Sequence, residues 1–267
     1  MADPPLLTID GVVFELRPMF PQPTVPGRVC VRKNERLCQE YLSRAEEFQG
    51  ANIVEVGIDQ GGSTALLLKA FKPARLLGVE LNPDPVPFLT DFLAEHDPEE
   101  TVQIHWGTDQ ADQVRLGELV DQHFGDGPID LVIDDASHLY EPSVATFEAL
   151  FPRIRPGGLF VLEDWAHDHL LEAALMAMAA ADDTGGVATE LAGAEDEAID
   201  TPLSALVCQL VVAAARRSDL ITSIAINNGS CELRRGPGEI EPNTPLGDYL
   251  GLRGGRMFAD VDRWMNG

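Results

Sequence analysis

The sequence is short of cations. Only 19 lysines and arginines stand against 44 aspartates and glutamates, a formal net charge of −25. Such a balance argues against phosphate-backbone or anionic-membrane partners and favours a neutral or cationic ligand. Cysteine is scarce as well: Cys30, Cys38, Cys208 and Cys231 form no C-x-x-C pair and are too few for a disulfide scaffold. Reduced thiols in a cytoplasmic setting are the expectation. No apolar run reaches the ~18 residues that a membrane span needs. The nearest approach, Leu170 to Ala181, reads as an alanine-rich helix. Residues 1–10 show no basic stretch followed by an apolar one, so no secretory leader is expected. Missing too is the G-x-G-x-x-G of dinucleotide binders, which argues against a nicotinamide oxidoreductase.

What is present is an ordinary globular composition, 45% hydrophobic and 24% charged, over 267 residues. That length carries one largish domain with a sizeable core. No internal repeat is visible. Leu6 to Leu16 alternates around Asp10-Gly11, a hairpin signal. A Pro-rich arm, Pro18 to Pro26, leads to a helix at about Asn34 to Gln49. Short apolar runs then alternate with helical ones: strands near Asn52–Val56, Arg75–Val79, Val102–Trp106, Ile129–Ile133 and Gly158–Leu162.

Runs of this kind, apolar without alternation and separated by helices, mark parallel strands buried on both faces. The fold class is therefore α/β, a doubly wound and mostly parallel seven-stranded sheet. Its close is different, because Ile221–Ile226 turns at Asn227-Asn228-Gly229 into Cys231–Arg234, an antiparallel hairpin. The expected organisation is a hairpin and arm over 1–32, a main domain over 33–240 and an extension over 241–267. Residues 182–200, acidic and rich in glycine and alanine, read as a mobile loop.

The first strand of the main domain runs into VEVGIDQGGST. Gly57, Gly61 and Gly62 let the backbone turn sharply and approach a ligand, and the helix starting near Ser63 directs free N–H groups toward an anionic group such as a carboxylate. Glu55 would repel a pyrophosphate but attract an amino group. Glu80 ends the second strand, where an acid accepts the hydroxyls of a ribose. Asp109 and Gln110, just past the third strand, are placed to read an adenine edge, although Asp109 would serve equally as a helix N-cap. A glycine loop with a ribose acid, on a sheet closed by an antiparallel hairpin, resembles the class I S-adenosylmethionine-dependent methyltransferases, with their Rossmann-like fold, over residues 50–235. That resemblance implies S-adenosylmethionine as cofactor, with Asp134 also at its site.

The fourth strand ends in IDLVIDDASH, which delivers Asp134, Asp135 and His138 to the sheet edge where open α/β folds bind ligands. A bland alternative has the aspartates capping the next helix and His138 at the surface. The fifth strand, GGLFVLEDW, ends in Glu163 and Asp164. Neighbouring strands lie about 4.8 Å apart, so these carboxylates can meet on one hard divalent cation, such as Mg2+. Without a cation they would repel one another. No Lys or Arg lies beside them in sequence, which leaves compensation to an ion or to a residue brought in by the fold.

The run from Asp135 to Asp164, D-x-x-H followed by F-x-x-L-F-P-x-x-x-P-G-G-x-x-V-x-E-D, resembles the metal-dependent sugar O-methyltransferases of the mycinamicin and demethylmacrocin type. The chain is shorter, a layout similar to mycobacterial methyltransferases of methylated polysaccharide precursors. The resemblance implies Mg2+ on Asp135, Glu163 and Asp164, His138 as general base, and a small sugar or glycoside acceptor. It leaves the oligomeric state open. The rival readings are a catechol-type O-methyltransferase, whose usual base is a lysine, and a cofactor-binding module without turnover. Tyr140, His167, His169, Trp106 and Trp165 are expected to pack or lie in loops, and His96, His105 and His123 to lie on the surface.

Overall fold

The computed structural model describes residues 4–17, 27–181 and 201–251. The stretch from Pro18 to Pro26, the segment 182–200 and residues 252–267 lie outside the described residues. A small sheet pairs β1 (Leu6–Ile9) antiparallel to β2 (Val12–Leu16), as the hairpin signal requires, and β2 parallel to β3 (Val29–Val31). The third strand has only three residues and leaves no periodic signal in the sequence.

The main sheet has seven strands. In chain order these are β4 (Asn52–Val56), β5 (Arg75–Glu80), β6 (Val102–Trp106), β7 (Ile129–Asp134), β8 (Ile154–Glu163), β9 (Ile221–Ile226) and β10 (Ser230–Arg235). Their order across the sheet is β6-β5-β4-β7-β8-β10-β9. The first five run parallel, and β10 pairs antiparallel with both β8 and β9. The doubly wound sheet and its closing hairpin are therefore as expected. The order reverses beside β4, between β5 and β7, the switch point at which such sheets bind ligands.

Side chains alternate across a strand, and here alternation divides the core in two. Val54, Val132, Phe160 and Leu162 face one layer, filled by α4 (Gln113–Phe124), α5 (Tyr140–Leu150) and α7 (Ser204–Arg216). Ile53, Leu131, Ile133 and Val161 face the other, built from α1 (Glu35–Ser43), α2 (Gly62–Phe71) and the small sheet, with Phe14, Leu16, Val31, Leu37 and Tyr41. Residues of β2 and β3 are thus part of the core of the main sheet. α3 (Pro87–His96) and α6 (His167–Ala181) complete the crossovers, and α8 (Leu246–Leu250) buries Tyr249 against Phe147 and Phe151. Among the described residues no helix is long and apolar enough to cross a membrane.

Local signals set the ends of these helices. Asn34 caps α1 by accepting the Leu37 N–H, and Asp112 caps α4 by accepting that of Arg115. α1 stops at Ser43, well before the expected Gln49, and single turns carry the chain on to β4. α2 opens on Gly61 in the left-handed region, at φ 79°. Gly62 follows beneath β3, where a Cβ would sit 2.0 Å from the Cys30 carbonyl oxygen. Only hydrogen fits that space. Gly62→Ala should therefore cost roughly 1–3 kcal/mol, the usual range for overpacking. The expected result is a lower urea midpoint with an unchanged slope, whereas an unchanged midpoint would show that β3 is not seated on α2.

Candidate functional site

The chain leaves β4 through Gly57, at φ 84°, whose N–H donates to the Val79 carbonyl at 2.9 Å. A Cβ on Gly57 would lie 2.4 Å from the Asp135 carbonyl oxygen, so the loop rests directly on the exit of β7. Glu80 holds the loop from the other side. Its Oε2 accepts the N–H groups of Ile58 and Asp59 at 3.1 and 3.0 Å, and its Oε1 accepts that of Asn82 at 2.9 Å. Asp59, at φ 45°, pairs with Arg32 at 3.0 Å across the rim.

Gln110 is buried and fully engaged. Its Nε2 donates to Asp134 Oδ1 (3.2 Å) and Thr146 (3.1 Å), and its Oε1 accepts the Ser137 N–H at 2.9 Å. It ties the ends of β6, β7 and α5 together. Asp109 accepts the Ala111 N–H at 2.9 Å in a local turn, and the N-cap role weighed for it falls instead to Asp112. Asp134 is buried, and burial pushes its pKa up to about 7. Its Oδ2 has no hydrogen-bond partner among the described residues. Glu55 is also fully buried, which raises its pKa. Its Oε2 accepts the Thr64 hydroxyl at 2.7 Å, Ser63 bonds it as well, and its Oε1 is unpartnered among the described residues.

The pleat separates the carboxylates expected to share an ion. Glu163 continues the row of Leu159 and Val161, which faces α1 and β3; Asp164 falls on the opposite row and faces the cleft. On the α1 side Glu163 meets two donors. The Tyr41 hydroxyl donates to Oε1 at 2.5 Å, and the Lys33 ammonium to Oε2 at 2.6 Å. The same ammonium donates to Asp135 Oδ2 at 2.6 Å, while Asp135 Oδ1 lies 3.3 Å from His138 Nε2. Lys33, 5% exposed, is the compensating residue that the fold supplies. It lies outside every motif, and the sequence signals it only as an isolated Lys before the Asn34 cap.

The charges respond as this geometry requires. Burial would lower the Lys33 pKa, but Asp135 and Glu163 outweigh it and the ammonium is held charged. Burial would raise Asp135, yet Lys33 and His138 bring it below the ordinary carboxylate range. Glu163 is pushed up to about 8 by burial and by the charge of Asp135. For His138, burial favours the neutral ring, but contact with Asp135 prevails and its pKa is raised.

A cleft of about 890 Å³ opens in front of these groups. Of the expected site residues, Gly57, Glu80, Asp109, Gln110, Asp135, His138 and Asp164 line it; Glu55, Gly61, Gly62, Ser63, Asp134 and Glu163 lie behind its walls. Its far wall is apolar, formed by Leu139, Pro142, Leu170, Leu171 and Ala174. Ligand atoms of Asp135, His138 and Asp164 lie within 4.8 Å of one another, close enough to share an ion. The carboxylates of Asp135 and Asp164 suit a hard divalent cation, so a metal fits between them, with His138 beside it.

Tyr140 and Trp165 pack as expected, donating to Gln209 at 2.8 Å and to the Asn227 carbonyl at 2.6 Å. His167 stands beside His138, ring centroids 5.3 Å apart, and lines the cleft. His123, expected on the surface, is instead 5% exposed and meets Gln103 at 3.0 Å, because the last turn of α4 packs over β5 and β6.

Residues 54–165 match a family described as a methyltransferase domain. The 8-demethyl-8-alpha-L-rhamnosyl tetracenomycin-C 2'-O-methyltransferase of Streptomyces olivaceus is 32% identical over 123 residues, 43% of this chain and 29% of that protein. The demethylmacrocin O-methyltransferase of Streptomyces fradiae is 52% identical over 56 residues, 21% of this chain and 13% of its own. The matched part thus spans less than a third of either relative. Among solved structures, the MycE methyltransferase from the mycinamycin biosynthetic pathway, in complex with Mg and SAH, superposes with a TM-score of 0.51 at 20% identity, covering 84% of this chain and 55% of that one. TomG from Streptomyces achromogenes, in complex with SAM, gives 0.50 at 20% identity, covering 79% and 83%. The segment that carries the glycine loop, Asp135, His138 and Asp164 thus matches a methyltransferase domain, and part of the chain is similar to named O-methyltransferases.

Proposed function

We propose that this chain is an S-adenosylmethionine- and Mg2+-dependent O-methyltransferase acting on a hydroxyl of a sugar or glycoside. One observation carries the reading: His138, Asp135 and Asp164 converge at the mouth of β7 and β8, beside the glycine loop at the switch point. Relatives named for O-methylation of sugars on antibiotics support the acceptor class, and the apolar wall suits a glycoside whose sugar is joined to an apolar body.

In this reading the cofactor lies over Gly57, with Glu80 on its ribose and Asp109 near its base. Gln110 acts by holding the site rather than by reading the adenine. Asp134, with an unfilled acceptor beneath the loop, and Glu55 supply the negative floor that suits an amino group and a sulfonium. A divalent ion on Asp135 and Asp164 would supply Lewis acidity, lowering the pKa of the acceptor hydroxyl.

A carboxylate only accepts, so in the His138–Asp135 contact Nε2 carries the hydrogen and Nδ1 keeps its lone pair. Nδ1 then takes the hydroxyl proton as the oxygen attacks the sulfonium methyl and the carbon–sulfur bond breaks. The products are a methyl ether, S-adenosylhomocysteine and a protonated His138. Walls that hold donor and acceptor in line supply much of the rate. Lys33, buried between carboxylates and away from the cleft, is not placed to act as the lysine base of a catechol-type enzyme.

Three measurements test the proposal. Glu80→Ala should weaken S-adenosylhomocysteine binding by tenfold or more in calorimetry while the thermal midpoint moves little; unchanged affinity removes Glu80 from the ribose site. Chelation should abolish methyl transfer to a glycoside panel and Mg2+ should restore it, so full activity in excess chelator would refute the metal requirement. His138→Ala should keep cofactor affinity and lose roughly 10²–10⁴ in turnover. Because the base is the neutral ring and contact with Asp135 raises its pKa, wild-type rate should fall on acidification from a point above the ordinary histidine value. A mutant that keeps both its rate and that acid limb would assign the proton to another group.

A further inference from the structure

The buried lysine bears on how the metal is held. Each oxygen of Glu163 accepts one hydrogen bond, Oε1 from the Tyr41 hydroxyl and Oε2 from the Lys33 ammonium, and the residue is 1% exposed. Glu163 does not line the cleft, and an ion that reached it would meet the Lys33 ammonium, 2.6 Å from Oε2. Asp135 also has a contact on each oxygen, Lys33 on Oδ2 and His138 on Oδ1, but it differs in lining the cleft. Asp164 stands on the cleft side of the pleat, within reach of Asp135.

We propose that Lys33 is a built-in counter-cation that keeps Glu163 off the divalent ion, leaving Asp135 and Asp164 as its carboxylate ligands. The inference rests on the metal-dependent reading above and changes its ligand set. The ammonium has two effects. It keeps Asp135 and Glu163 from repelling each other before an ion arrives, so the site is assembled without metal. It also competes for Asp135, so the ion is bound more weakly than three free carboxylates would bind it. Lys33 is a positioning residue here, acting through Asp135 and Glu163 rather than on a substrate.

Titration of the full chain with Mn2+, following the free ion by electron paramagnetic resonance, separates the alternatives without any turnover. Glu163→Gln should bind within about threefold of wild type. Asp164→Asn, a change that the left-handed backbone at φ 49° tolerates, should weaken binding by tenfold or more. Lys33→Met frees Glu163 and should bind tenfold or more tightly, with a thermal midpoint that metal raises far more than in wild type. The double variant Lys33→Met with Glu163→Gln should bind less tightly than Lys33→Met alone, because the carboxylate that the single change frees is gone.

Loss of binding in Glu163→Gln as large as in Asp164→Asn would make Glu163 a ligand and overturn the proposal. So would weaker or unchanged binding in Lys33→Met. Should Lys33→Met fail to fold by circular dichroism, the Glu163 and Asp164 comparison still decides. A wild-type chain that binds no Mn2+ at all would overturn the metal-dependent reading itself, and this inference with it.

Discussion

Lys33 reaches Asp135 and Glu163 at 2.6 Å each, and most of what surrounds the cleft follows from that bridge. Burying carboxylates side by side is strongly unfavourable unless a positive charge and good hydrogen bonds accompany them. The ammonium and the Tyr41 hydroxyl meet that requirement from the connection after β3 and from α1, which must therefore lie against the ends of β7 and β8. Gly62 allows it, because only a hydrogen lets β3 cross the start of α2. Charge and packing thus impose the same placement on the N-terminal segment.

The sheet was legible because its signals are local and repeated. Non-alternating apolar runs such as Leu131–Ile133 and Leu159–Leu162 belong to strands buried on both faces, and the Asn227 to Gly229 turn marks the closing hairpin of the main sheet. Glu80, Asp135, His138 and Asp164 could be read off because each ends a strand or opens a loop at the carboxyl edge. Lys33 could not. Its partners lie 102 and 130 residues away, and no spacing rule links them. β3 was hidden for the opposite reason, being too short at three residues to show any period. Gln110 was located at the cleft, but the partners that occupy its amide come from β7, the loop after it and α5, so its commitment is visible only in three dimensions.

Pleat parity explains why two adjacent acids have unlike surroundings. Glu163 and Asp164 are neighbours in sequence, yet one is enclosed under α1 and the other stands at the cleft. The chain reverses its direction sharply there: Asp164 has φ 49° and His138 has φ 55°, both in the left-handed region that side chains with a Cβ seldom adopt. Asp59, across the cleft, has φ 45°. Such conformations persist only where the surrounding structure over-determines them, and here they ring the same opening.

The Lys33 bridge also limits how the domain can be used as a module. The family match begins at residue 54, downstream of both Lys33 and Tyr41. A graft cut at that boundary would carry the glycine loop, the D-x-x-H run and the Glu-Asp end of β8, and so would look complete to a motif search. It would nonetheless import two acids whose counter-charge stayed behind. A unit that keeps the counter-charge with its acids must therefore include Lys33 and Tyr41, and so begins before α1.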